Sequence, residues 1–379
     1  EYRLLSVLHK AAFHQGKQVT FFLFLFYILF IYLLLTCFCD SLSVKQEQKK
    51  GLYYLSFFIL VLFAGLRYDS PDYGAYEDYF TLLNNKAIIV SEVDLAIVAS
   101  DKGYIVINKI IGVFTNNPIF LFLVMAFLSV GINLSCYKKY TPYFFTAILF
   151  YYVHTYIGRE MMQIRAGLAC ALCLYSIRYI VQRRLLYFLC TVTLAASIHL
   201  GALAFVISYF LSYCNFKMKT LKFFVIVSLL IGMCMPLGRF LKSLPYMEGL
   251  ERIQNYSGWE EYNGTLGIFS NPTVLKQLII VAVCLKYYRY LQERVYAFST
   301  ILILYVFSVC WLIVWNDFGI VAARIATFFS IGEVLLVASF YHLFSSKITY
   351  ACIVGIASLV FLTLNLVKNS LIYQSVLFS

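Results

Sequence analysis

The sequence predicts an all-α, polytopic membrane protein with about twelve transmembrane helices. Three observations carry this. Of the 379 residues, 62% are hydrophobic and only 13% charged. Apolar runs such as FFLFLFYILFIYLLL (21–35) and IFLFLVMAFLSVGINL (119–134) are continuous rather than alternating, and basic residues gather between the runs. A hydrocarbon core about 30 Å thick calls for runs of this kind. In lipid a helix satisfies its own backbone hydrogen bonds, whereas a β-barrel would show short alternating strands. The length is spent on spans, so the chain reads as one transmembrane domain, 1–379, with no sizeable soluble part.

In chain order, residues 1–18 read as a short basic amphipathic stretch lying at the interface. Spans follow near 19–39, 52–66, 118–136, 143–157, 161–181, 185–198, 200–214, 222–240, 273–289, 296–315, 322–344 and 348–367. The 185–214 pair turns so tightly around Ser197, Ile198 and His199 that one bent element is the alternative. Lys45, Lys49 and Lys50; Lys138 and Lys139; Arg178, Arg183 and Arg184; Lys217, Lys219 and Lys222; and Lys286, Arg289 and Arg294 mark short loops on one side. The positive-inside rule makes that side cytoplasmic, with Arg3, Lys10 and Lys17 falling outside against the rule. For the alternation to hold, YIVINKIIGVF (104–114) does not cross and reads as a re-entrant or interfacial helix.

This topology leaves two outer, periplasmic loops, 67–117 and 241–272. The second carries Tyr246, Tyr256, Trp259 and Tyr262 among Gly, Asn and Ser, a composition for closing over a polar ligand with aromatic platforms. An interfacial aromatic belt is the alternative. The net charge of +12 orients the protein in its membrane and does not imply nucleic acid. Nearly all eleven cysteines lie inside apolar runs; Cys170 and Cys173 form a CxxC within a span beside no histidine, which reads as packing rather than metal or redox chemistry.

Charge inside the apolar runs is the functional signal. An arginine at the centre of a span costs about 2.5–3.5 kcal/mol, so each needs a partner or a purpose. Arg159 and Arg165 lie in YIGREMMQIRAGLACALCLYS (156–176) and Arg324 in NDFGIVAARIATFFSIGEVLL (316–336); Arg67 ends its span and His199 tips a hairpin. All enter from the outer face, where positive charge is otherwise depleted, and a lipid-linked pyrophosphate is an anion that forked guanidinium donors suit. The bland alternative pairs Arg159 with Glu160, Arg324 with Glu333 or Asp317, and Arg67 with Asp69 or Asp72. On one continuous helix Arg159 and Arg165 stand about 9 Å apart in rise and roughly 120° out of phase. His199 is a candidate general base, and Asp72 or Asp69 competes for that role. No Walker loop, GxSxG elbow, HExxH or GxGxxG is present.

Five stretches, in order and spacing, carry a family likeness: GLRY followed by DYGAY, DKGYIVINKI (101–110), QIRAGLA (163–169), SIHLGAL (197–203) and AARIATFF (322–329). From about residue 52 to 335 the chain resembles the EpsG-like family of Wzy-type polysaccharide polymerases, which build O-antigen, capsule or exopolysaccharide. The resemblance points to Arg67, Asp72, Tyr73 and Tyr76, to Arg165, to His199 and to Arg324. Ser70 stands where a Gly is usual, with Pro71 beside it, and Arg159 is not a motif position.

What the resemblance implies is a GT-C-like glycosyltransferase of the bacterial inner membrane, acting at the periplasmic face on undecaprenyl-pyrophosphate-linked donor and acceptor glycans. Arg165, Arg324, Arg67 and Arg159 are then the pyrophosphate-binding candidates, His199 or Asp72 the base, and Tyr73, Tyr76, Tyr256 and Trp259 the sugar-binding aromatics. Neither nucleotide nor metal cofactor is required, and membrane lipid and a chain-length regulator protein are the further partners. A flippase for the same lipid-linked oligosaccharide, or an O-antigen ligase-type enzyme, is the alternative; Lys276 and Glu333 are the charges a transporter would use.

Overall fold

The structure, a computed structural model, describes residues 24–42, 44–70, 72–84, 101–214, 216–235, 237, 268–369 and 374–375. The expectations for residues 1–18 and for Tyr256 and Trp259 fall outside these. The apolar runs fold as helices, gathered into two compact units: Glu1–Leu168 with Leu343–Ser379, and Ala169–His342. Four helices among the described residues are long and apolar enough to cross a membrane: Ile119–Tyr140, Ile164–Val181, Val321–Leu343 and Lys347–Val367. Several other runs, including Phe24–Phe38, Leu185–Ile198 and Phe298–Val314, form shorter apolar helices.

The first unit begins with α1 (Phe24–Phe38), α2 (Gln46–Gly65), a short strand β1 (Arg67–Asp69) and α3 (Tyr73–Asn84). It continues with α4 (Lys102–Phe114), α5 (Ile119–Tyr140) and α6 (Phe144–Tyr151). A π-helical turn, Tyr152–Tyr156, links α6 to the short α7 (Ile157–Glu160), and α8 (Ile164–Val181) starts after a three-residue break. β1 pairs antiparallel with β2 (Gln374–Ser375), Arg67 opposite Ser375. One face of α1 (Phe24, Ile28, Ile31, Leu35) is exposed and apolar, while Phe26, Phe30, Leu33 and Cys37 are buried on the other. The C-terminal helix Lys347–Asn369 shows a like stripe at Ile353, Ile356, Val360, Leu364 and Val367. Apolar stripes of this extent call for a lipid solvent.

Polar contacts between helices fix this packing. A π turn frees carbonyls from the regular ladder; Asn365 donates to the Val153 carbonyl at 2.6 Å, Tyr152 to Phe26 at 2.9 Å and Tyr156 to Leu60 at 2.5 Å. Gly65 lets α2 lie on α5 so closely that a Cβ would stand 2.8 Å from the Leu123 Cα. α4 is 13 residues long, about 20 Å at 1.5 Å per residue and too short to cross; Tyr104, Asn108 and Ile111 are buried while Val106, Ile110, Val113 and Phe114 are exposed.

The second unit takes the rest of α8, then α9 (Leu185–Ile198), a 3-10 turn (Leu200–Val206) and α10 (Ile207–Tyr213). These two arms are an antiparallel hairpin rather than one bent element: Phe188 stacks near Phe205 and Tyr209, and Arg183 reaches the Ser212 carbonyl at 3.3 Å. α11 (Met218–Cys234), α12 (Pro272–Lys286), α13 (Tyr288–Gln292), α14 (Phe298–Val314), α15 (Gly319–Phe329) and α16 (Glu333–Ser339) complete it. α12 opens on an Asn271 side chain that accepts from Thr273 N–H at 3.0 Å, with Pro272 in its first turn. α14 is central, bonded to α15 through Ser308 and the Ala326 carbonyl at 2.8 Å.

Candidate functional site

In the first unit, three of the singled-out stretches meet around one guanidinium. The helical segment expected to carry both Arg159 and Arg165 is broken: α7 ends at Glu160, Met161–Gln163 form a turn, and α8 begins at Ile164. This corrects the single-helix spacing, because Arg159 closes one helix while Arg165 opens the next. Arg165 thus sits in a helix's first turn, where the dipole is already positive. A cation there stabilises no helix and sharpens the local attraction for an anion.

The Arg165 guanidinium donates to the Asp101 carboxylate at 2.7 Å and lies 5.6 and 5.5 Å from the Tyr76 and Tyr104 ring centres. Both distances are within cation–π range. Tyr76 comes from α3, Tyr104 from α4, and the two rings meet edge to face at 6.2 Å. Asn108, one turn beyond Tyr104, donates to the Tyr104 carbonyl at 2.8 Å and secures that part of α4. The carboxylate next to Arg159 has hydrogen-bond partners on other helices as well. Glu160 accepts from Ser129, from Tyr151 at 2.8 Å and from Asn133 at 3.4 Å, and Gly167 leaves room for that carboxylate.

Arg67 is fully buried. It donates to the Ala64 carbonyl at the end of α2, where a cation complements the helix dipole, and its guanidinium lies 4.8 Å from the Phe122 ring centre. Arg67 thus contacts the end of α2 and the Phe122 ring. Tyr73 stacks on Phe122 at 4.4 Å and Tyr76 meets the same ring at 6.4 Å, so both tyrosines are packed inside. Asp72 is half-buried; desolvation raises its carboxyl above the usual range, with Arg165 and Arg67 pulling it back. A raised carboxylate is a better proton acceptor near neutral pH.

The second unit places His199 at the tip of its hairpin, with extended backbone (φ −149°, ψ 111°) that stops α9. Its ring sits edge to face with Phe328 at 5.8 Å, and Phe328 lies one turn beyond Arg324 on α15. The hairpin tip thus packs against the helix that carries Arg324, whose side chain is exposed. Gly201 makes the approach possible, since a Cβ there would meet Phe328 at 3.0 Å. Glu333 pairs with Lys276 at 2.5 Å.

Sequence reasoning reached Arg67, Asp72, Tyr73, Tyr76, Arg165, His199 and Arg324 but gave no role to Asp101 or Tyr104, and named Glu160 only as a partner for Arg159. The signal for the first two was DKGYIVINKI itself, in which an acid stands directly before an apolar amphipathic helix. The EpsG family matches residues 50–377 of this chain. The amylovoran biosynthesis protein AmsC of Erwinia amylovora is 26% identical over 329 residues, covering 83% of this chain and 87% of the relative. No solved structure matches.

Proposed function

Because the chain belongs to the EpsG family, we propose that it is a membrane glycosyltransferase that polymerises lipid-linked oligosaccharide units into a surface polysaccharide. The kinship with a protein of amylovoran biosynthesis supports the polysaccharide product. The observation that carries the reading is the convergence on Arg165: the DYGAY, DKGY and QIRAGLA stretches supply Tyr76, Asp101 with Tyr104, and Arg165 itself.

In the proposed reaction the acceptor sugar's hydroxyl oxygen attacks the anomeric carbon of the donor glycan. The bond from that carbon to the phosphate oxygen breaks, and undecaprenyl pyrophosphate leaves with the bonding pair. Arg165 neutralises the charge growing on the leaving group, a contribution made in the transition state and so effective in catalysis. Arg324 is the second candidate for that task and Arg159 a third. The hydroxyl proton passes to His199 or to Asp72. Arg67 holds the end of α2 and the Asp72 region in place. The loop aromatics Tyr256 and Trp259 are assigned to the sugar, while Tyr73 and Tyr76 pack beneath the site; the reaction is assigned to the periplasmic face of the inner membrane in a GT-C-like scaffold.

The test is glycan synthesis by the purified protein in detergent, given the lipid-linked repeat unit of its own strain, alongside Arg165→Ala and His199→Ala. A ladder of products that disappears in both folded variants is expected. Repeat unit left unextended by the wild type, or a ladder undiminished in Arg165→Ala, would sink the assignment.

A further inference from the structure

We propose that Asp101 is a positioning residue that clamps the Arg165 guanidinium for a pyrophosphate-bearing substrate. The identity of that substrate rests on the polymerase reading; the clamp rests on geometry. Asp101 occupies the N-cap position of α4, where an aspartate ordinarily accepts from the open amides of the helix's first turn. Its side chain makes no such cap bond and reaches instead to Arg165, 64 residues on in the chain. The helix gives up a stabilising contact so that the carboxylate can serve the arginine.

Burial within the pair is asymmetric. The Asp101 side chain is 6% exposed and that of Arg165 26%. The carboxylate is nearly closed off by protein, while about a quarter of the Arg165 side chain stays open. An incoming anion thus finds more of the arginine than of the acid, which suits Asp101 to positioning. With Tyr76 from α3 and Tyr104 from α4 on the same guanidinium, three contacts fix a side chain that would otherwise sample many rotamers. A fork held in this way keeps its remaining N–H donors aimed in one direction. That is the form of preorganisation that two adjacent phosphate groups reward.

The experiment compares wild type, Asp101→Asn, Arg165→Gln and the double variant. Each is titrated in detergent with a short-chain polyprenyl pyrophosphate and, in parallel, assayed for polymer formation. The asparagine keeps the shape of aspartate and an acceptor for Arg165, so folding, checked by elution and melting, is preserved. Affinity for the probe falls about tenfold in Asp101→Asn, the size of one charge-assisted contact; the donor's KM rises by a similar factor and kcat falls as well, because Arg165 also acts in the transition state. In the Arg165→Gln background the same substitution adds nothing. Should Asp101→Asn fail to fold, Asp101→Glu keeps the charge on a longer arm and shows an intermediate loss. Probe binding unchanged in Asp101→Asn, or a loss that adds in full to that of Arg165→Gln, overturns the clamp. Wild-type protein that shows this binding pattern yet makes no polymer leaves the clamp standing and overturns the polymerase reading instead.

Discussion

Asp40 shows at the scale of one residue how a polar side chain can bind together an apolar bundle. It lies in the turn after α1 and accepts from the Thr146 N–H at 2.8 Å and hydroxyl at 2.9 Å, capping the first turn of α6 from far away in sequence. Burial pushes its carboxyl up to about 7, the two Thr146 hydrogen bonds acting in the opposite direction. The folded-state value is therefore above the unfolded one, near 3.8. In that window the folded protein holds a proton that the unfolded chain has released, so this group's contribution is fully present at low pH and is lost as pH rises toward 7. Asp40→Asn removes the titration. Melting in detergent between about pH 4 and 7 is expected to decline more steeply for wild type than for the variant; equal slopes would refute the assignment. The same scale explains what the sequence concealed. An intramembrane arginine announces itself by its cost, which made Arg165 legible, but its counter-ion lies on a different helix. Charge adjacency pointed to Glu160 beside Arg159, and Arg159 does act on that carboxylate, but its hydrogen bonds come from Ser129, Asn133 and Tyr151. Nothing local marks such pairings.

At the scale of elements, α2 contains its own controlled comparison. Gly51 and Gly65 belong to the same helix, yet a Cβ at Gly51 would meet nothing within 4 Å, while one at Gly65 would run into the Leu123 backbone at 2.8 Å. Gly51→Ala should stabilise by up to about 1 kcal/mol, the helix-propensity difference. Gly65→Ala should destabilise by about 1–3 kcal/mol, because backbone cannot move aside as a side-chain tip does. Unfolding of the two variants in detergent reads both signs; a Gly65→Ala protein as stable as wild type would mean that α2 and α5 do not pack this closely. The apolar runs were legible because each is long, continuous and bounded by basic residues. The break between α7 and α8 was legible only in part: the spans near 143–157 and 161–181 set it a few residues early, for Met161, Met162 and Gln163 carry neither proline nor glycine to fix its place. The hairpin at His199 was half legible: its tight turn was visible in sequence, and the antiparallel return was settled only by Phe188 meeting Phe205 and Tyr209.

Over the whole molecule, the distribution of intramembrane charge bears on whether the chain joins sugars or moves them. A translocation path needs ionisable groups exchanging partners through the membrane, and Lys276 with Glu333 are the ones deep in the second unit that such a path would use. They are bound to each other at 2.5 Å, with side chains 11% and 1% exposed. Arg165, by contrast, keeps about a quarter of its side chain open. A closed pair of this kind ties α12 to α16 and offers nothing to a passing substrate. Removing one partner leaves an uncompensated buried charge, at a cost of about 3–5 kcal/mol, whereas replacing both with apolar residues of similar volume is often neutral. Lys276→Met alone should therefore melt early or fail to accumulate. Lys276→Met combined with Glu333→Leu should restore the fold and still produce the full ladder of glycan. If the folded double variant binds the lipid-linked unit but extends none of it, the pair takes part in the reaction cycle, and movement of the glycan across the membrane becomes the better account of the protein.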